Sequence, residues 1–169
     1  MQTKEILINC ARFIILVFLQ VFLLNNINLL GYINPYLYIL FILLYPSTGN
    51  QTLLIFLSFL LGLSVDIFED SGGVHAAACA FIAYIRPVVL KYSFGISYEY
   101  NSVKIERAAP TEKFIYVASI IVIHNFIMFA LEIFSFDHIL LLLKSTLFSG
   151  IFTFILIMGS LILINKKVK

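Results

Sequence analysis

Between residues 139 and 164 the chain carries one charged side chain, Lys144, in a run otherwise built from aliphatic, aromatic, small hydroxyl and glycine residues and one methionine. A helix rises about 1.5 Å per residue, so roughly 20 residues cross a hydrocarbon core of about 30 Å. Inside that core every backbone N–H and C=O must find its partner within the protein, which leaves helices and closed barrels. A run this long without alternation is a helix. Comparable runs recur at 6–24, 52–68, 74–91 and 114–134. Composition agrees: 62 % of residues are hydrophobic and 12 % charged, with a mean hydropathy of +1.04. Soluble domains carry about 25 % charged residues. A soluble enzyme, a disordered chain and a nucleic-acid binder are therefore excluded. The expected architecture is all-α, a single polytopic integral-membrane domain over residues 1–169 dissolved in a lipid bilayer.

A sixth crossing is expected at 33–45, and it is the weakest. Asn34-Pro35 reads as a helix start, with asparagine as cap and proline at the first helical position, and Pro46 ends the run. A helix from Pro35 to Tyr45 is too short to cross alone. Residues 27–33 must supply depth, or the segment is tilted or broken, and irregular backbone at that depth must be buried in protein or line a wet cavity. Charge argues that it crosses. With six spans and a cytoplasmic N-terminus, every Lys and Arg except Lys144 falls on the inner side, whereas five spans leave Lys4, Arg12 and Lys144 outside. The positive-inside rule favours six, with both termini in the cytoplasm. Asp66, Glu69, Asp70, Glu132 and Asp137 then face outward. The outer connections are short. The inner loop at 92–113, with Tyr92, Tyr98 and Tyr100 among Glu99, Lys104, Glu106 and Arg107, is either a solvated connector or a docking surface.

Cys10 and Cys79 have neither disulfide nor metal spacing, and both read as buried, inert thiols. Cys10 lacks the flanks of a lipidation site, and no cleavable leader is expected. The most informative stretch lies between Gly62 and His75. Ser58, Gly62 and Asp66 fall on one helix face, and Gly72, Ala76 and Ala80 repeat the spacing beyond the Gly72-Gly73 turn. A tight antiparallel pair is expected there. Asp66 needs a protein partner, either His75 or the N-terminus of the next helix. That acidic turn is a structural cap, a binding site, or, least supported, a catalytic centre. Ser64 and Ser71 have no sequence signature of a nucleophile, and Asp66, Asp70 and His75 do not have a specific metal spacing. His124, Asn125 and Glu132 form an intramembrane polar stripe next to Met128. Ser145, Ser149 and Thr153, with Gly150, Gly159 and Ser160, form a packing face. Arg86 is read as an inner-interface charge whose guanidinium snorkels to head groups, and Pro87 as a kink or stop.

The order Gly62-x3-Asp66-x6-Gly73-x-His75, followed by alanines and Ala83-Tyr84, resembles the central region of the rod shape-determining protein MreD family. Asn34-Pro35 opening the second span and Tyr45-Pro46 closing it fit the same pattern, which covers roughly residues 12–92. Glu69-Asp70 makes the turn more acidic than that pattern, and the 92–113 loop is long. The resemblance implies a non-enzymatic, cofactor-free, multi-pass scaffold of the bacterial cytoplasmic (inner) membrane. It would bind MreC, a single-span protein, within a larger elongasome assembly. That assembly includes a class B penicillin-binding protein, a SEDS glycosyltransferase and an actin-like filament, and it sets cell shape through lateral peptidoglycan synthesis. It also implies a fold resembling the six-helix substrate-binding components of energy-coupling-factor transporters. Such a component, capturing a vitamin-like solute, is the alternative function. Against it, the Ala-x3-Ala docking pattern those components use is represented on the first span by Ala11 alone.

Overall fold

The computed structural model of the protein describes residues 3–27, 33–95, 105, 108–133 and 138–167. Tyr98, Glu99, Tyr100, Lys104, Glu106, Arg107 and Asp137, named above, lie outside the described residues. Helix α1, Thr3–Leu19, runs on into a π-helical turn, Gln20–Leu24. Then follow α2, Ile39–Leu44; α3, Gln51–Glu69; α4, Val74–Phe94; α5, Pro110–Ile133; and α6, Ile139–Lys167. Five of these are long and apolar enough to cross a membrane: Leu7–Leu24, α3, α4, α5 and Ile139–Ile164. The chain is thus an all-helical protein of multi-pass membrane character.

Local chemistry sets several of the boundaries. Asn50 caps α3, its side-chain oxygen accepting from the Leu53 N–H at 3.1 Å. Helix α5 opens on Pro110 with Glu112 in its first turn, where a missing N–H is harmless and a negative charge is favoured. It therefore begins four positions earlier than the apolar run at 114 suggests. Pro87 neither ends nor interrupts α4, which continues to Phe94. Helices α3, α4, α5 and α6 pack in sequence order, and α1 lies against α2 and α3. The outer helices turn most of their surface away from the protein: 17 % of Leu7–Leu24 is buried, against 50 % of α4. Cys79 is buried, but Cys10, on that outward surface, is exposed, contrary to expectation.

The second segment departs most from the sequence expectation, because its helix starts at Ile39 and not at Pro35. The reason is that residues 34–37 obtain their backbone hydrogen bonds from other helices. The Asn34 N–H donates to Ser149 Oγ at 3.2 Å and the Tyr36 N–H to Thr153 Oγ1 at 2.9 Å. The Leu37 N–H donates to Gln20 Oε1 at 2.9 Å, and Gln20 Nε2 donates to the Pro35 carbonyl at 2.9 Å. Gln20 is fully buried at the start of the π-helical turn. Every residue of α2 is buried, and α2 touches α1, α3, α4 and α5. This six-residue helix is therefore the centre of the bundle, and its irregular entry is sheathed in protein.

Candidate functional site

Two polar clusters lie at opposite ends of the second segment, and the one at the α3–α4 turn is the candidate site. Helix α3 ends because Asp70 takes a left-handed conformation (φ 54°), its N–H donating to the Asp66 carbonyl. Gly73, at φ 95°, then starts α4 in a conformation that disfavours any side chain. This turn brings the end of α3 back onto the start of α4. Asp66, 4 % exposed, fills the junction. Its Oδ1 accepts from the His75 N–H at 3.0 Å, stands 2.9 Å from His75 Nδ1 and accepts from Ser71 Oγ at 2.5 Å; its Oδ2 accepts from the Ala76 N–H at 2.8 Å. Both candidate partners from the sequence are used together. The carboxylate caps the α4 N-terminus, where the dipole favours it, and also holds the imidazole.

Gly62 makes the approach possible. A Cβ built there would collide with the His75 carbonyl and the Ala76 nitrogen, so the two backbones meet at that point. Gly62→Ala is expected to destabilise the α3–α4 pair by about 1–3 kcal/mol through overpacking. Unfolding in detergent checks this; a midpoint equal to that of the parent protein would show that the pair separates freely. Ser58 is buried on the same face. The repeat across the turn holds only in part. Ala76 is buried and Ala80 half-buried, but Gly72 is exposed and neither Gly72 nor Gly73 has an atom near its Cβ position. Those two glycines serve backbone conformation and do not pack.

Beside the turn is a cavity of about 630 Å³ lined by Asn34, Tyr36, Glu69, Asp70, Ser71, Gly72, Val74, His75, Leu131 and Glu132. Glu132 is therefore a correction: it is exposed at the cavity, not buried beside Asn125. Being near the end of α5, it is past the level at which the stripe is enclosed. Glu69 Oε2 stands 3.1 Å from His75 Nε2. Ser71 joins Asp66 and His75, a contact the sequence did not signal. They lack the order of a catalytic relay, because Ser71 Oγ lies 3.1 Å from Nδ1, the nitrogen Asp66 already holds. Among the described residues, no three His, Cys, Asp or Glu side chains are grouped so as to hold a metal ion.

The rest of the stripe is buried as expected. His124, Asn125 and Met128 are fully enclosed. His124 Nε2 is 3.1 Å from Tyr38 Oη, and its Nδ1 is 3.1 Å from Asn125 Oδ1. The rings of Tyr36 and Tyr38 lie against His75 and His124, with centroids 5.4–6.0 Å apart. These histidines thus grip the start of the second segment. Ser145, Ser149, Gly150 and Thr153 face inward, while Gly159 has nothing near its Cβ position.

Arg86 holds the segment's other end. It does not snorkel: it is 2 % exposed. Its Nε donates to Tyr116 Oη at 2.9 Å, and its Nη2 donates to the carbonyls of Leu43, at 3.4 Å, and Tyr45. Arg12 Nη1 donates to the Leu44 carbonyl at 3.3 Å. The C-terminal carbonyls of α2 have no helical partner, and positive charge is favoured there. Two arginines fill that role from α1 and α4. In the sequence Arg86 is legible only as a charge near a span end, because nothing local shows that a carbonyl cluster more than forty residues away requires it. No protein-family model, curated protein or solved structure matches the chain.

Proposed function

We propose that this chain is a non-enzymatic scaffold of the bacterial inner membrane, of the MreD type, which binds an MreC-like single-span protein in the machinery of lateral peptidoglycan synthesis and cell shape. Class B penicillin-binding protein, SEDS glycosyltransferase and actin-like filament would be its wider partners. The observation that carries the reading is the use of the buried polar side chains. Gln20, Arg12, Arg86, Ser149 and Thr153 all bond backbone groups between residues 34 and 45, so the polar interior is engaged in building a rigid bundle. Such a bundle offers partners its helix faces.

The proposal includes six crossings with both termini cytoplasmic. The second segment supports this. It begins at the cavity beside the α3–α4 turn and ends at Arg86, about three turns along α4. Non-helical chain reaches up to about 3.3–3.6 Å per residue, so residues 33–36 cover more depth than a helix of equal length. The six-helix form also keeps the likeness to energy-coupling-factor substrate-binding components. Co-expression with an MreC-like single-span protein is expected to give a stoichiometric complex that survives detergent. Independent migration of the two proteins would overturn the reading.

The cavity favours a second reading, a membrane component that captures a vitamin-type solute. A stoichiometric small molecule carried through purification, identified by mass spectrometry, would support it over the scaffold.

A further inference from the structure

The wall of the cavity at the α3–α4 turn is rich in hydrogen-bond acceptors. The carboxylates of Glu69, Asp70 and Glu132 line it, and among the described residues no lysine or arginine does. Ser71 lines it too, but its hydroxyl is already donated to Asp66. Asp66 also fixes the tautomer of His75. A carboxylate only accepts, so the nitrogen 2.9 Å from Oδ1 carries the ring hydrogen, and in the neutral imidazole Nε2 is left as a lone pair. That Nε2 is buried and has no hydrogen-bond partner, although Glu69 Oε2 is 3.1 Å away. In that form Nε2 and Glu69 Oε2 are two acceptors side by side at the cavity wall, without the alignment of an N–H···O bond. A donor brought in from the cavity satisfies both. Tyr36, 4 % exposed with its ring 5.8 Å from that of His75, closes the wall behind them.

We propose that this cavity binds a small organic cation carrying a primary ammonium group, with Glu69, Glu132 and His75 Nε2 accepting its N–H donors. An ammonium group supplies three donors and one positive charge, which complements this wall. The volume of about 630 Å³ lies within the range of roughly 300–1,000 Å³ usual for small-molecule sites, and it is far more than a bare ion needs. The same chemistry is available from a free amine or from an aminophospholipid headgroup. The inference does not rest on the scaffold reading; loss of the single-span partner would leave it intact.

The test is calorimetric titration of 1,4-diaminobutane into the full chain held in nanodiscs of phosphatidylcholine and phosphatidylglycerol, which carry no primary ammonium. Saturable binding at one site is expected, with no binding of the neutral analogue 1,4-butanediol. Glu132→Gln and Glu69→Gln are each expected to weaken it at least tenfold. Glu132 is exposed, so its variant tests the site without disturbing the core, and unfolding midpoints of both variants are measured without ligand as a control. Repeating the titration in discs containing phosphatidylethanolamine separates the sources: weaker apparent binding by competition assigns the headgroup, and unchanged binding assigns the free amine. No saturable binding in the amine-free discs, equal binding of the diol, or an affinity indifferent to Glu132→Gln would overturn the proposal.

Discussion

Replacing Arg86 by leucine is expected to lower the stability of the protein more than any other single substitution in the bundle. The guanidinium is buried and serves Tyr116 Oη and the carbonyls of Leu43 and Tyr45. Leucine fills much of the space but donates nothing. A buried acceptor that loses its donor costs about 1–3 kcal/mol, and here the Leu43 and Tyr45 carbonyls lose their charged donor together, Leu43 keeping the Tyr116 hydroxyl at 3.5 Å. Arg86→Lys is expected to retain only part of the stability, since an ammonium is a point charge on a flexible stem and does not reproduce the planar fork that reaches both elements. Thermal unfolding of the purified protein in nanodiscs measures both. Arg86→Leu melting within a degree or two of the parent protein would mean that α2 keeps its place without a cap.

Asp66→Asn is expected to have the next largest effect. The carboxylate is surrounded by donors: two backbone N–H groups, the Ser71 hydroxyl and His75 Nδ1. An asparagine amide keeps one accepting oxygen and turns an N–H₂ group toward donors on its other side, leaving at least one helix N–H unpaired. Hydrogen bonds to a charged group contribute about 1.5–3 kcal/mol, so the loss should exceed 2 kcal/mol or thereabouts when the unpaired donor is included, at about 1–3 kcal/mol. Glu69→Ala removes one carboxylate that is only partly enclosed and should cost clearly less. Unfolding midpoints for the two variants, with recovery of any single-span partner complex as a second readout, check the order. Equal and negligible effects would remove Asp66 from the site.

The contrast between these residues shows what local pattern carries. The Asp66–His75 pairing was legible because it is confined to one helix turn, one tight loop and the next helix start, where chain geometry alone limits the reach of the carboxylate. The small-residue approach at Gly62 was legible for the same reason. Glu132 was misplaced because helical spacing assigns a face, not a depth: seven residues beyond Asn125 shares its side of α5 but has already reached the cavity. Gly72 was misread because glycine spacing does not distinguish a packing contact from a left-handed turn; only its backbone angle does. The Asn34-Pro35 start failed for a third reason. Capping rules describe a chain that must find its hydrogen bonds locally, and here Gln20, Ser149 and Thr153 supply them from elsewhere.

Hydropathy by itself determined the class of molecule and five of its helices, because the requirement to satisfy backbone groups in an apolar medium acts on every long run independently of its neighbours. The tertiary structure alone decided that the least regular segment lies at the centre. Its backbone is held by side chains from α4, α6 and the α1 helix with its π-helical extension, up to 117 residues away along the chain. Such bonds leave no periodic trace in the sequence, since each donor or acceptor is a single residue whose partner is fixed only when the helices come together.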